Sequence, residues 1–152
     1  IEEIEKGQSQ LAKRQYDAAT AHFQRALKKS PNDYVALCLM SKTKLIQKEY
    51  AAGRQYAEMA QKAYPQEAQA YHLSGIAKMR LKKFAGAYEE FETYDRLLPG
   101  NPNTIYFKGY CQEGMGNTEQ AANYYYRYLQ VVKQGPNAQH AYRRLVEWGY
   151  IK

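Results

Sequence analysis

The chain has 152 residues, of which 45% are hydrophobic and 14% aromatic, including 16 tyrosines. This length suits one domain, and no run approaches the ~18 apolar residues of a membrane-spanning helix, so we predict no span within it. The net charge of +7 is spread along the chain, which argues against a dedicated nucleic-acid site because phosphate binding needs cations gathered on one face.

A 34-residue period runs through the sequence. Pro31, Pro65 and Pro99 are each 34 residues apart. Small residues recur at the same interval, and these are Gly7, Ser41, Gly75 and Gly109. A fixed period of this length indicates one supersecondary unit copied several times, with each copy burying its apolar face against the next.

Helical spacing of apolar residues predicts an all-α chain of nine helices without strands. We place them near residues 2–13, 17–29, 33–46, 51–63, 67–80, 85–97, 102–114, 118–133 and 137–148. The first eight form four helix–turn–helix repeats, at about 1–33, 34–67, 68–101 and 102–135. The ninth, within 136–152, would cover the exposed end of the fourth repeat, as terminal repeats require.

The fourth repeat departs from the period, because its run continues to Pro136 and predicts an overlong eighth helix. Asn117 or Thr118 is predicted to cap this helix at its start. The run 124–128 holds four tyrosines. Consecutive helical residues point to all faces, so we expect these tyrosines to pack between helices and not to form one recognition surface.

The period and its positions resemble the tetratricopeptide repeat (TPR) family over essentially the whole chain. Repeat three carries the pattern most fully, with Tyr71, Gly75, Phe84, Ala87, Phe91, Tyr94 and Pro99. The resemblance implies a right-handed superhelical solenoid whose first helices line a concave groove. Tyr94 and Tyr128 stand where the family favours alanine, so we expect the third and fourth layers to shift.

The residues that the resemblance places in a partner-binding groove belong to the first helices of repeats two to four. They are Val35, Cys38, Lys42, Leu45, Ile46, Gln69, His72, Ile76, Met79, Arg80, Asn103, Tyr106 and Tyr110. In repeat one the corresponding positions are Ile1, Ile4, Gln8 and Leu11. Aliphatic, methionine and tyrosine side chains with a few cations are typical of peptide recognition. The alternative is that some of these residues belong to the core.

One branch of the family holds the C-terminal carboxylate of chaperones with Lys and Asn side chains. The matching positions here are Ile4, Gln8, Cys38 and Lys42, so only one cation is present and that clamp is absent. Cys38 and Cys111 lie in different repeats and are expected to be free thiols. The histidines are scattered without a metal-ligand spacing, so we predict no metal site, no cofactor and no catalysis in this chain.

The sequence predicts a non-enzymatic protein-interaction module whose groove binds a peptide, a helix or a neighbouring domain. A second hypothesis follows from the closing stretch 141–150, which resembles the tails of TPR modules in bacterial envelope zinc metalloproteases. Because the sequence begins at Ile1 without an initiator methionine, we expect a segment of a longer protein. That hypothesis implies a periplasmic or envelope-associated location, and otherwise a cytoplasmic one. Self-association is the third alternative.

Overall fold

A computed structural model describes all residues, 1–152, and contains nine α-helices and no strand. Their order gives four helix pairs followed by one closing helix. The helices are α1 (Glu2–Ala12), α2 (Tyr16–Lys29), α3 (Tyr34–Ile46), α4 (Tyr50–Ala63), α5 (Gln69–Arg80), α6 (Phe84–Leu97), α7 (Pro102–Gly114), α8 (Thr118–Val131) and α9 (Pro136–Glu147). No helix is both long and apolar enough to cross a membrane.

The turns inside the helix pairs repeat the 34-residue period in their backbone conformation. Arg14, Lys48, Lys82 and Gly116 all have positive φ angles, between 61° and 82°. At the second of these turns, the Lys48 N–H donates to the Leu45 carbonyl at 3.0 Å and the Glu49 N–H to the Lys44 carbonyl at 2.8 Å. This is the left-handed helix ending that leaves few carbonyls of the last turn unpaired.

The structure divides into two compact units, residues 1–81 and 82–152. The first unit holds α1 to α5, and its core centres on Phe23, Leu37 and Met40, which are fully buried. Gly7 allows the close approach of α1 and α2, because a Cβ atom there would lie 2.4 Å from the Phe23 ring. The period in small residues therefore has a direct packing cause in this unit.

The second unit holds α6 to α9 and has a core built mainly from tyrosine. Tyr106, Tyr125 and Tyr128 are buried together with Leu145. Gly109 corresponds to Gly7 and allows α7 and α8 to approach closely, because a Cβ atom added there would lie 2.8 Å from the Tyr125 ring. A phenol at position 128 is accommodated by aromatic packing, with the Tyr128 ring centroid 5.3 Å from that of Tyr106.

The tyrosine run of α8 spreads over several faces, which confirms the expectation from helical geometry. Tyr125 and Tyr128 are buried, and Tyr124 shares a hydrogen bond of 2.5 Å with the Tyr88 hydroxyl of α6. Tyr126 is 57% exposed and borders a crevice between α8 and α9. Tyr124 is partly buried, so Tyr126 is the only one of the four tyrosines that is largely exposed.

Two local predictions about α8 were wrong. The helix has 14 residues, the same length as α2, α4 and α6, because Val132 leaves the helical conformation with φ −119° and ψ 118°. Neither Asn117 nor Thr118 forms a side-chain cap. The Asn117 amide nitrogen instead donates to Gln112 Oε1 at 2.8 Å, which ties the turn back to α7.

Candidate functional site

The candidate site is a cavity of about 590 Å³ in the first unit, between α3, α5 and the turn before α4. Seven of the thirteen predicted groove residues line it. They are Lys42, Leu45, Ile46, Gln69, His72, Ile76 and Arg80. These residues of α3 and α5 therefore line one cavity, and their role in binding a partner stays a prediction.

The helical repeat explains why these side chains converge. His72, Ile76 and Arg80 are each four residues apart on α5, and Lys42 and Ile46 have the same spacing on α3. Residues at this spacing lie on one face of a helix, one turn above another. Each helix therefore contributes one stripe to the wall of the cavity.

The adjacent face of α3, which carries Ser41 and Leu45, is fixed against α4. Ser41 Oγ donates a buried hydrogen bond of 2.7 Å to the Gly53 carbonyl. A Cβ atom on Gly53 would lie 2.8 Å from Leu45 Cδ2, so glycine lets the two helices approach closely. This contact sets the rotation of α3, and that rotation leaves Lys42 and Ile46 exposed.

A second cavity of about 340 Å³ adjoins the first and extends the surface onto α1. Gln8 and Leu11 line it, together with Ala12 and Leu39. Lys42 and Ile46 line both cavities. We call the combined surface the α1–α3–α5 groove.

Two titratable groups near the groove are neutral at pH 7. Burial lowers the pKa of His72, so its imidazole is uncharged. Burial raises the pKa of the Cys38 thiol to about 11, although a hydrogen bond from Tyr34 opposes this shift. A thiol with such a pKa is a poor nucleophile. The charge of the groove therefore comes from its lysines and its arginine.

Three predicted groove residues are buried and do not form a surface. Cys38 is 9% exposed, Met79 4% and Tyr106 5%. Their place in the interior corresponds to the alternative that some predicted positions belong to the core. Val35 and Asn103 are exposed, but they do not line the α1–α3–α5 groove.

In the second unit, α9 packs over the residues equivalent to the groove. Tyr106 lies 34 residues after His72, and its hydroxyl is hydrogen-bonded to His140 Nδ1 of α9 at 2.7 Å. The half-buried Tyr110 ring packs against the His140 ring at 5.7 Å between centroids. The first-helix face of α7 is therefore occupied by a helix of the same chain.

A polar network continues from this contact. Glu113 of α7 accepts a hydrogen bond of 2.7 Å from the Tyr125 hydroxyl and lies 3.6 Å from His140 Nε2. Its other oxygen forms an ion pair of 3.0 Å with Arg144 of α9, whose guanidinium stacks over the Trp148 ring at 4.7 Å. The network joins α7, α8 and α9 and fixes the position of the closing helix against the other two.

Three residues of the larger cavity were not predicted from the sequence, and these are Lys48, Tyr50 and Leu73. Lys48 sits at the positive-φ turn and Tyr50 begins α4, so both lie outside the first helices. The 34-residue period carried a signal for Lys48, because cationic residues recur at positions 14, 48 and 82. Leu73 is 5% exposed and forms part of the cavity floor.

No group of three or more His, Cys, Asp or Glu side chains is close enough to hold a metal ion. Cys38 and Cys111 are free thiols, and burial raises the pKa of Cys111 to about 12. The groove thus offers apolar contact, hydrogen bonds and positive charge.

No family model and no curated protein matches this sequence. Solved structures do match this chain in their fold. TTC0263, a TPR protein of Thermus thermophilus, is 18% identical with a TM-score of 0.77, over 97% of this chain and 82% of its own. MamA from Desulfovibrio magneticus RS-1 is 21% identical with a TM-score of 0.79, over 85% and 73%. The fold is that of tetratricopeptide repeats.

A third TPR structure matches part of the chain. The first TPR of Spaghetti (RPAP3), bound to an HSP90 peptide, is 19% identical with a TM-score of 0.73, over 75% of this chain and 90% of its own. At sequence identities of 18–21% the similarity to these three structures shows a shared fold. The four helix pairs and the closing helix identified above are accordingly TPR-like repeats and a cap.

Proposed function

We propose that this chain is a non-enzymatic protein-interaction module and that its α1–α3–α5 groove binds a peptide or helix of a partner. The observation that carries the proposal is the pair of adjoining cavities, of about 590 and 340 Å³, joined at Lys42 and Ile46. A TPR-like neighbour holds a peptide, which supports the same use of the fold.

The groove has the composition of a peptide-binding surface. Ile46 is 45% exposed between the two cavities and offers an apolar contact without a covering residue of this chain. Its neighbours on α3 are fixed by the Ser41–Gly53 hydrogen bond, so the wall is preorganised. Preorganisation reduces the entropy lost on binding, and central apolar anchors carry much of the affinity in such interfaces.

A displayed library of random peptides tests the proposal. We expect selection on the whole chain to enrich peptides with apolar residues, and Ile46→Asp to weaken a selected synthetic peptide at least ~10-fold, because a charge would be desolvated at the centre of the contact. Fluorescence anisotropy measures the affinity. Ile46 is on the surface, so circular dichroism should show an unchanged helix content.

Met59→Asp is the matched control. Met59 is 46% exposed, nearly the same as Ile46, but lies on the second helix α4 and outside the groove. It should leave peptide affinity unchanged. The proposal fails when selection enriches no peptide, or when the selected peptides bind Ile46→Asp and Met59→Asp equally well.

Two finer proposals concern the setting of the module. The likeness of the closing stretch 141–150 supports a C-terminal segment of a bacterial zinc metalloprotease that recruits substrates or partners. An HExxH helix encoded upstream of Ile1 would decide in its favour. The second finer proposal is self-association through the groove. In that case light scattering should show an apparent molecular mass that rises with protein concentration.

A further inference from the structure

The charge of the α1–α3–α5 groove is one-sided. Lys42, Lys48 and Arg80 line the larger cavity, and no Asp or Glu lines either cavity. None of the three cations forms an ion pair within this chain, whereas their neighbour Lys44 is paired with Glu49 at 3.2 Å. Cations left without a carboxylate in a concave site raise the local potential for an anionic partner.

Apolar side chains lie between these cations. Leu45 and Ile46 of α3 and Leu73 and Ile76 of α5 line the same cavity. Arg80 and Ile76 are one helical turn apart on α5, and Lys42 and Ile46 are one turn apart on α3. A ligand that matches both walls must therefore present an apolar side chain with negative charges close on its flanks.

We propose that the ligand is an acidic peptide segment in which Asp or Glu side chains flank an apolar residue. This inference rests on the proposed function of the groove. The apolar residue contacts Ile46 and Ile76, and Lys42, Lys48 and Arg80 bind the flanking carboxylates. Arg80 can hold a carboxylate through two parallel N–H donors, while the lysines act as point charges.

The carboxylates are those of side chains and not of a chain end. Of the four positions that would hold a terminal carboxylate, Ile4 is apolar and Cys38 is 9% exposed with a neutral thiol. Gln8 and Lys42 remain, and Lys42 lies in the wall shared by both cavities. Recognition accordingly depends on the cations around the larger cavity, which an internal segment can reach.

Three synthetic peptides of about 14 residues test the ligand class. They share the same leucine positions and carry Glu, Gln or Lys at every flanking position. Anisotropy with fluorescein-labelled peptides should show the Glu peptide binding the whole chain at least ~10-fold more tightly than the Gln peptide, and the Lys peptide most weakly. Amidation of the C-terminus should not change the affinity of the Glu peptide.

The double variant Lys42→Gln with Arg80→Gln should remove most of the preference for Glu over Gln. Lys28→Gln with Lys62→Gln is the charge-matched control, because both lysines are exposed on the second helices α2 and α4. It should keep the preference. The proposal is overturned by equal binding of the three peptides, by a preference that survives in the groove variant, or by a requirement for a free terminal carboxylate.

The outcomes separate this inference from the proposed function. The three peptides could bind equally well and all lose binding in the Ile46→Asp variant. That result would keep the groove as a peptide-binding site and would refute only the acidic ligand. Absence of binding by all three peptides refutes the acidic ligand, and absence of any selected peptide refutes the site itself. Binding should also weaken from about 50 to 200 mM salt in the parent chain more than in the groove variant.

Discussion

Three residues with side chains adopt a conformation that favours glycine. Arg14, Lys48 and Lys82 have φ angles of 61°, 64° and 63°, and the equivalent residue of the fourth pair is Gly116 with φ 82°. The left-handed conformation costs a residue with a Cβ about 1–2 kcal/mol. Each of the first three turns therefore stores strain that the fourth turn avoids.

Replacing Arg14 by glycine should relieve this strain. The gain is partly offset by the greater freedom of glycine in the unfolded chain, so we expect Arg14→Gly to raise the free energy of unfolding by about 0.5–1 kcal/mol. Urea denaturation followed by circular dichroism measures it. Arg14 is exposed and forms no ion pair, so the substitution removes no ion pair.

Two further variants show whether the backbone is the cause. Arg14→Ala keeps the strain and should leave stability nearly unchanged, while Gly116→Ala introduces it and should cost about 1 kcal/mol. A gain from Arg14→Ala equal to that from Arg14→Gly would contradict the explanation, because it would point to the arginine side chain.

Helix α9 departs from the repeat at the position that holds a small residue in the four helix pairs. Gly7, Ser41, Gly75 and Gly109 are 34 residues apart, and the next position holds Arg143. The Arg143 side chain is 63% exposed. A second helix could not approach α9 at Arg143 as closely as α8 approaches Gly109.

We expect the packing of α9 against α7 and α8 to depend on pH. Burial lowers the pKa of His140, and this outweighs the opposing charge of Glu113. In the neutral imidazole, Nε2–H faces Glu113 and Nδ1 accepts the hydrogen bond of the Tyr106 hydroxyl. A proton on Nδ1 removes that acceptor. The other charged or titratable groups nearby are Tyr110, Tyr125, Arg143, Arg144 and Glu147.

The sign of the effect follows from linkage. Because the folded-state pKa lies below the unfolded value, the unfolded chain binds more protons as pH falls through about 6.5. We expect the free energy of unfolding of the chain to decrease from pH 7.5 to 5.5. His140→Gln should flatten this dependence in part, because the lowered pKa of His72 contributes with the same sign, and denaturation at the two pH values measures it.

His22→Gln provides the comparison for this experiment, because His22 is paired with Glu3 at the surface of the first unit, at 2.6 Å. It removes a histidine without touching α9. If His140→Gln and His22→Gln changed the pH dependence equally, the network around α9 would not be its source. An NMR titration of the His140 ring would show the lowered pKa directly.

At the scale of the whole molecule, the period predicted the fold because each backbone constraint recurs every 34 residues. The two helices of a pair approach closely at Gly7 and at Gly109, and this contact requires a small residue. The recurrence of small residues in the sequence therefore indicates the helix pairs. Tyr106 was less predictable. The equivalent residue His72 lines the groove, whereas His140 covers Tyr106, and a single period cannot show which neighbour occupies a face.

The net charge of +7 can be tested for attraction to nucleic acid. The groove brings together three unpaired cations, so we expect nucleic acid to bind with only about three phosphate contacts. Anisotropy with a labelled duplex should then show weak binding at about 50 mM salt that is lost near 200 mM.

The same Lys42→Gln and Arg80→Gln variant distinguishes the source of this attraction. Loss of duplex binding would place it in the groove, and the acidic peptide should then compete with the duplex for the parent chain. Tight binding that persists at about 200 mM salt would require cations gathered on another face and would contradict the even distribution of charge along the sequence. Because the Lys28→Gln and Lys62→Gln control removes equal charge, it shows whether position or net charge sets the affinity.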